Sequence, residues 1–107
     1  MVEGRRKKRL EALILRIIAG LLLKDVQDPR LEGVSITNVV LTDDFSEAKI
    51  YFYIHKDQDV NKVKKGFESA KGFLRAGLGD EAKLRRVPDL KFIYDDTLDL
   101  FDKIKGK

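Results

Sequence analysis

Residues 60–88 set the terms for the rest of the chain. Val60, Val63, Phe67, Ala70, Leu74 and Leu78 recur at steps of three and four, which keeps one face of a helix apolar. Lys62, Lys64, Lys65, Lys71, Arg75, Lys83, Arg85 and Arg86 fall on other faces. Eight basic side chains against three acidic ones (Glu68, Asp80 and Glu81) give residues 60–86 a charge of +5, more than the +4 of the whole chain. Gly66, Gly72, Gly77 and Gly79 interrupt the helical pattern, each at about 1 kcal/mol relative to alanine. Glycines of that kind call for a bend or for the close approach of another backbone. The basic side chains read two ways at this point, as a solvated helix face or as a surface for a phosphate backbone.

At 107 residues the chain is sized for one domain spanning 1–107, with enough apolar content, 43%, for one core. It has no cysteine, which excludes disulfides and thiolate metal sites. Arg5 to Arg9 followed by the apolar run from Leu10 to Leu23 imitates a secretory signal. Glu11 and Arg16 interrupt that run, and no small-residue cleavage site follows. The run is also too short and too charged to span a membrane. The expectation is a cytoplasmic protein without a membrane partner.

Glu3 to about Val26 is expected to be the first helix, with Leu10, Leu13, Ile14, Ile17, Leu21 and Leu22 as its apolar stripe. Pro29 disfavours helical geometry at Asp28 and stops it. Val34 to Thr42 reads as a strand whose alternation slips near Thr37-Asn38, the mark of a bulge. Asp43-Asp44-Phe45-Ser46 is turn chemistry. Ala48, Ile50, Phe52 and Ile54 then alternate with polar and tyrosine positions in a second strand. Asp59 is placed to cap the basic helical segment. Leu90, Phe92 and Tyr94 mark a third strand. Asp96 or Thr97 opens a short last helix carrying Leu98, Phe101 and Ile104. Helices segregated on one face of a small three-stranded sheet make this an α+β fold.

Charge is unevenly spread. Six acids and one base give residues 25–47 a net −5, and six bases and two acids give the first sixteen residues +4. Such polarity steers a protein towards nucleic acid if its basic helices share a side. The Arg5–Arg9 cluster sits where the helix dipole disfavours cations, so an anionic partner or a solvated terminus has to account for it. His55 is the only histidine, and no phosphate-cradling loop or nucleophile elbow is present. The pairs Asp43-Asp44 and Asp95-Asp96 suit turns and caps more than metal or acid–base chemistry. Tyr51 and Tyr53 share a strand face, as packing residues or as platforms for bases.

Several motifs, taken in order from about Arg6 to Ile104, resemble the ribosome-binding factor A family. They are Arg6, Arg9 and Leu10; Asp28-Pro29-Arg30-Leu31; Asp44-Phe45-Ser46-Glu47-Ala48-Lys49-Ile50-Tyr51; Ala70-Lys71-Gly72-Phe73-Leu74-Arg75; Leu78-Gly79; Leu84-Arg85; and Pro88-Asp89-Leu90-Lys91-Phe92. Asp95 and Thr97 fit the closing turn. Leu13, Leu15 and Ile18 make the first helix more apolar than the pattern, and Phe101 stands where glycine is common.

The resemblance implies a KH-like fold of the second type, ordered α-β-β-α(kink)α-β-α, in which an Ala-x-Gly kink at Ala70-Lys71-Gly72 replaces the usual GxxG loop. It implies binding to the small ribosomal subunit and its rRNA in late assembly and rRNA processing. No exposed-edge signal demands a dimer, and a monomer is expected. No catalysis, cofactor, metal or small-molecule substrate is expected. On this resemblance Arg5, Arg6, Lys8, Arg9, Lys62, Lys64, Lys65, Lys71, Arg75, Arg85 and Arg86 are expected to meet RNA, with Gly72 bringing the backbone near phosphates. The alternatives are a general KH-like binder of single-stranded RNA and a small divalent-metal hydrolase built on the paired aspartates.

Overall fold

A computed structural model describes residues 2–55 and 57–97, with side chains from residue 4 onward. The first helix, α1, spans Val2–Lys24. It stops two residues short of the expected Val26. Pro29 holds Asp28 extended at φ −121°, ψ 116°, and the chain leaves the helix ahead of that constraint. A single 3-10 turn, Pro29–Leu31, follows. The Asp28 carboxylate accepts the Arg30 N–H at 2.9 Å, and the turn buries Leu31.

Strand β1 (Ser35–Leu41) pairs antiparallel with β2 (Glu47–Tyr53), and β2 pairs parallel with β3 (Asp89–Tyr94). The sheet order is β1-β2-β3. The register slips between Ile36 and Asn38, so the bulge lies where the alternation of the sequence failed. The β1–β2 turn puts Phe45 in the left-handed region, φ 63°, and Asp44 ties it down by accepting the Ser46 N–H and hydroxyl. A parallel return from β2 to β3 needs a crossover, and helix α2 (Val60–Ala82) supplies it. Asp59 caps α2 by accepting the Asn61 N–H at 2.8 Å. Lys83 ends it in the left-handed conformation, φ 56°.

Both long helices pack on one face of the sheet, in the KH-like α+β arrangement. Ile14 and Ile18 from α1, Phe67, Leu74 and Leu78 from α2, and Leu41, Ile50, Phe52 and Leu90 from the sheet are all fully buried. The aromatic heart is Phe67, 4.9 Å from Phe52 and stacked on Phe92 at 4.3 Å. Ile18, which made α1 unusually apolar, is there because α1 has neighbours on two sides, the sheet and α2. Glu11 is half-buried. Its carboxylate accepts the Leu41 N–H at 2.8 Å and so covers part of the free edge of β1. Among the described residues no helix is long and apolar enough to cross a membrane.

The expected break at Gly72 is absent. α2 is one run of helix through Ala70-Lys71-Gly72, not two helices. The reason is tertiary. Val63 and Phe67 before the glycine, and Leu74 and Leu78 after it, are buried on the same face. Holding both halves on one core outweighs the roughly 1 kcal/mol that a helical glycine costs. Gly72 does not serve close packing either, because nothing lies within 4 Å of where its Cβ would be. The close approaches are at Gly66, Gly77 and Gly79, whose added Cβ atoms would stand 3.0 Å from Leu31, 2.7 Å from Leu21 and 2.8 Å from Val87. The short last helix, with Leu98, Phe101 and Ile104, lies outside the described residues.

Candidate nucleic-acid interface

The basic side chains separate into three environments. On α2, Lys62, Lys64 and Lys65 are exposed, with no ion-pair partner among the described residues. They stand on the first two turns, behind the Asp59 cap, where the amphipathic stripe leaves no apolar work for them. Gly66, just beyond them, seats this end of α2 against Leu31 and Arg30.

Arg5, Arg6, Lys8 and Arg9 are exposed on the first turns of α1. Their neighbour Lys7 reaches Asp43 at 3.0 Å, which fixes this end of α1 beside the β1–β2 turn. Arg85 and Arg86 are exposed in the loop between α2 and β3. That loop enters the sheet at the same turn, through Asp89 N–H donating to Ser46 O at 2.9 Å. The first-helix cluster and the Arg85-Arg86 loop thus share one end of the molecule, and Lys62, Lys64 and Lys65 mark the other end of α2.

The remaining two of the cations expected to meet RNA are engaged within the protein. Arg75 donates from Nη2 to Val87 O at 2.8 Å and from Nε to Pro88 O at 3.2 Å. It clamps the turn ahead of β3, where Pro88 is buried and lacks an N–H of its own. Lys71 lies 3.6 Å from Asp89 and 3.9 Å from Glu68. Nothing in the sequence marks Arg75 as a clamp, because its acceptors are carbonyls that any residue could supply. Gly72 is exposed over open space, next to Phe73, which is 50% exposed.

Of the paired aspartates, Asp43, Asp44 and Asp95 are engaged within the protein. Asp95 accepts the Thr37 hydroxyl at 2.6 Å and the Thr97 N–H at 3.0 Å, and the Thr37 bond above all holds its carboxyl below the usual Asp range. Asp95 and Thr97 thus join in the closing turn, as the family resemblance implies. Asp44 is likewise lowered, first by the Ser46 hydroxyl. Among the described residues no three His, Cys, Asp or Glu side chains gather to hold a metal. His55 is exposed and lies over Gly33, whose φ of +80° has no room for a side chain. Tyr51 and Tyr53 are half-buried on the outer sheet face, and Tyr53 stacks on Tyr94 at 6.0 Å.

A small KH-like α+β chain with clusters of unpaired cations on its helical layer is the class these features define. A family model described as ribosome-binding factor A matches residues 6–106. A ribosome-binding factor A from Pediococcus pentosaceus is 40% identical over 106 residues, covering 97% of this chain and 91% of that protein. The crystal structure of ribosome-binding factor A from Thermus thermophilus superposes with a TM-score of 0.76 at 27% identity, over 82% of this chain and 93% of that one. A model of the Thermus thermophilus protein fitted into a cryo-EM map of a 30S complex gives 0.68 at 26% identity, over 81% and 92%. The chain belongs to the ribosome-binding factor A family.

Proposed function

We propose that this protein binds the small ribosomal subunit and its rRNA during late assembly and rRNA processing, as a cytoplasmic monomer of one domain. It does so without catalysis or cofactor. Family membership and the relative fitted into a 30S complex support the partner. The observation that carries the mode of binding is the set of exposed, unpaired cations on the helical layer: Lys62, Lys64 and Lys65 on α2, and Arg5, Arg6, Lys8 and Arg9 on α1. Their spacing along a surface suits a folded RNA backbone, where phosphate contacts set position and affinity. Gly72, bare and open, leaves room for a sugar–phosphate chain against α2. Arg85 and Arg86 extend the α1 cluster. Lys71 and Arg75 hold the β3 entry and contribute little direct contact.

The test is co-sedimentation with purified small subunits. Reversing Lys62, Lys64 and Lys65 together to Glu should lower the bound fraction while the circular dichroism spectrum stays the same. Reversing Lys71 is a poor probe, because a carboxylate there would face Glu68 and Asp89. Unchanged binding by the folded triple variant contradicts the proposal. Tight, sequence-selective binding to short naked oligonucleotides would instead favour a general single-stranded RNA binder.

A further inference from the structure

Between the last turns of α1, the 3-10 turn and the start of β1 lies an open groove of about 730 Å³. Leu22, Val26 and Ile36 line it half-buried, and Leu31 is buried beneath. Leu23, also in its lining, is 84% exposed, more than any other large apolar side chain described. A leucine left in water next to an apolar trough is surface that a partner can cover.

The charge of the groove is opposite to that of the candidate RNA surface. Two carboxylates, Asp28 and Glu32, line it, and no lysine or arginine does. Arg30 answers Asp28 with two bonds, from Nε at 3.0 Å and Nη2 at 2.7 Å. Glu32 is exposed, with no ion-pair partner among the described residues. Carboxylates at the rim disfavour phosphate and favour ammonium or guanidinium. The groove also runs along an edge strand. β1 has a strand neighbour on one side only, and Glu11 covers that edge at Leu41, while Ser35 and Ile36 at its other end form a wall of the groove. An edge beside an apolar trough suits an extended chain that can lie along main-chain groups.

We propose that this groove docks an extended segment of another protein, rich in lysine or arginine and carrying an apolar anchor residue. The anchor packs among Leu22, Leu23, Val26 and Ile36, and a flanking cation meets Glu32. This site is separate from the RNA-binding reading and stands or falls without it.

The probe is a labelled twelve-residue peptide alternating lysine and leucine, titrated into the full chain and followed by fluorescence anisotropy and backbone amide shifts. Peptides alternating glutamate with leucine, or lysine with serine, are the controls. The lysine–leucine peptide should saturate, with shifts centred on Leu23, Val26 and Glu32 to Ile36. Leu23→Gln and Glu32→Lys should each weaken it at least about fivefold. Both positions are exposed, so both variants should keep the parent's circular dichroism spectrum. Five results would overturn the proposal: no saturation, shifts centred on another surface, equal binding of the glutamate–leucine peptide, an RNA oligonucleotide shifting the same amides, or self-association of the chain that Leu23→Gln abolishes. The last would mean that a second copy covers the groove.

Discussion

Asp28, Asp44, Asp59 and Asp95 each accept the main-chain N–H two residues ahead. That one bond starts the 3-10 turn, closes the hairpin, caps α2 and opens the segment after β3. Asp28, Asp44 and Asp95 are held below the ordinary carboxyl value, by the Arg30 guanidinium, the Ser46 hydroxyl and the Thr37 hydroxyl respectively. A carboxyl lowered in the fold stabilises it above the unfolded value, about 3.9, and loses that contribution as pH falls through the folded value. Stability should therefore decline below about pH 4. Thr37→Val removes the largest cause at Asp95. Its urea midpoint should fall below the parent's at pH 7, and the gap should narrow at pH 2.5. A gap that widens on acidification contradicts the assignment. Arg75 makes a second test at this scale. Arg75→Ala leaves the Val87 and Pro88 carbonyls without their donor and should cost about 1–3 kcal/mol in urea denaturation.

At the scale of elements, the glycines of α2 are not equivalent. Gly72 has helical neighbours and open space, so Gly72→Ala should raise stability by about 0.5–1 kcal/mol. At Gly66 a methyl would press on Leu31 and on Arg30 Cβ at 3.2 Å, so Gly66→Ala should lower it. Thermal melts of the two variants check the sign, and a loss on Gly72→Ala would restore the idea of a special backbone there. The same positions show why some elements were legible in the sequence and others were not. The stripes of both helices, the hairpin, the bulge near Thr37 and the Asp59 cap follow from periodicity and local hydrogen bonding, which a sequence displays directly. Whether a glycine bends a helix or receives a neighbour depends on elements elsewhere in the chain. Leu21 meets Gly77 and Leu31 meets Gly66 only once the layers assemble. For the same reason charge alone did not separate Lys71 and Arg75, which have partners within the protein, from Lys62, Lys64 and Lys65. Glu11, legible only as a break in an apolar run, proved to be the edge cover of β1.

Across the whole molecule the fold sorts charge. The sheet and the loops around it carry most of the acids described, and the helical layer carries two groups of exposed, unpaired bases, one at the start of α1 and one at the start of α2. A surface of that kind should bind its RNA partner through released counterions, with a strong dependence on salt. The two groups should also contribute separately, because neither touches the other. The most direct measurement is the slope of log Kd against log salt for the full chain on purified small subunits, compared with the folded Lys62, Lys64 and Lys65 to Glu variant. Each lost phosphate contact lowers the slope by about 1, so the account predicts a slope about two to three smaller and weaker binding at every salt concentration. An identical slope in parent and variant would contradict it.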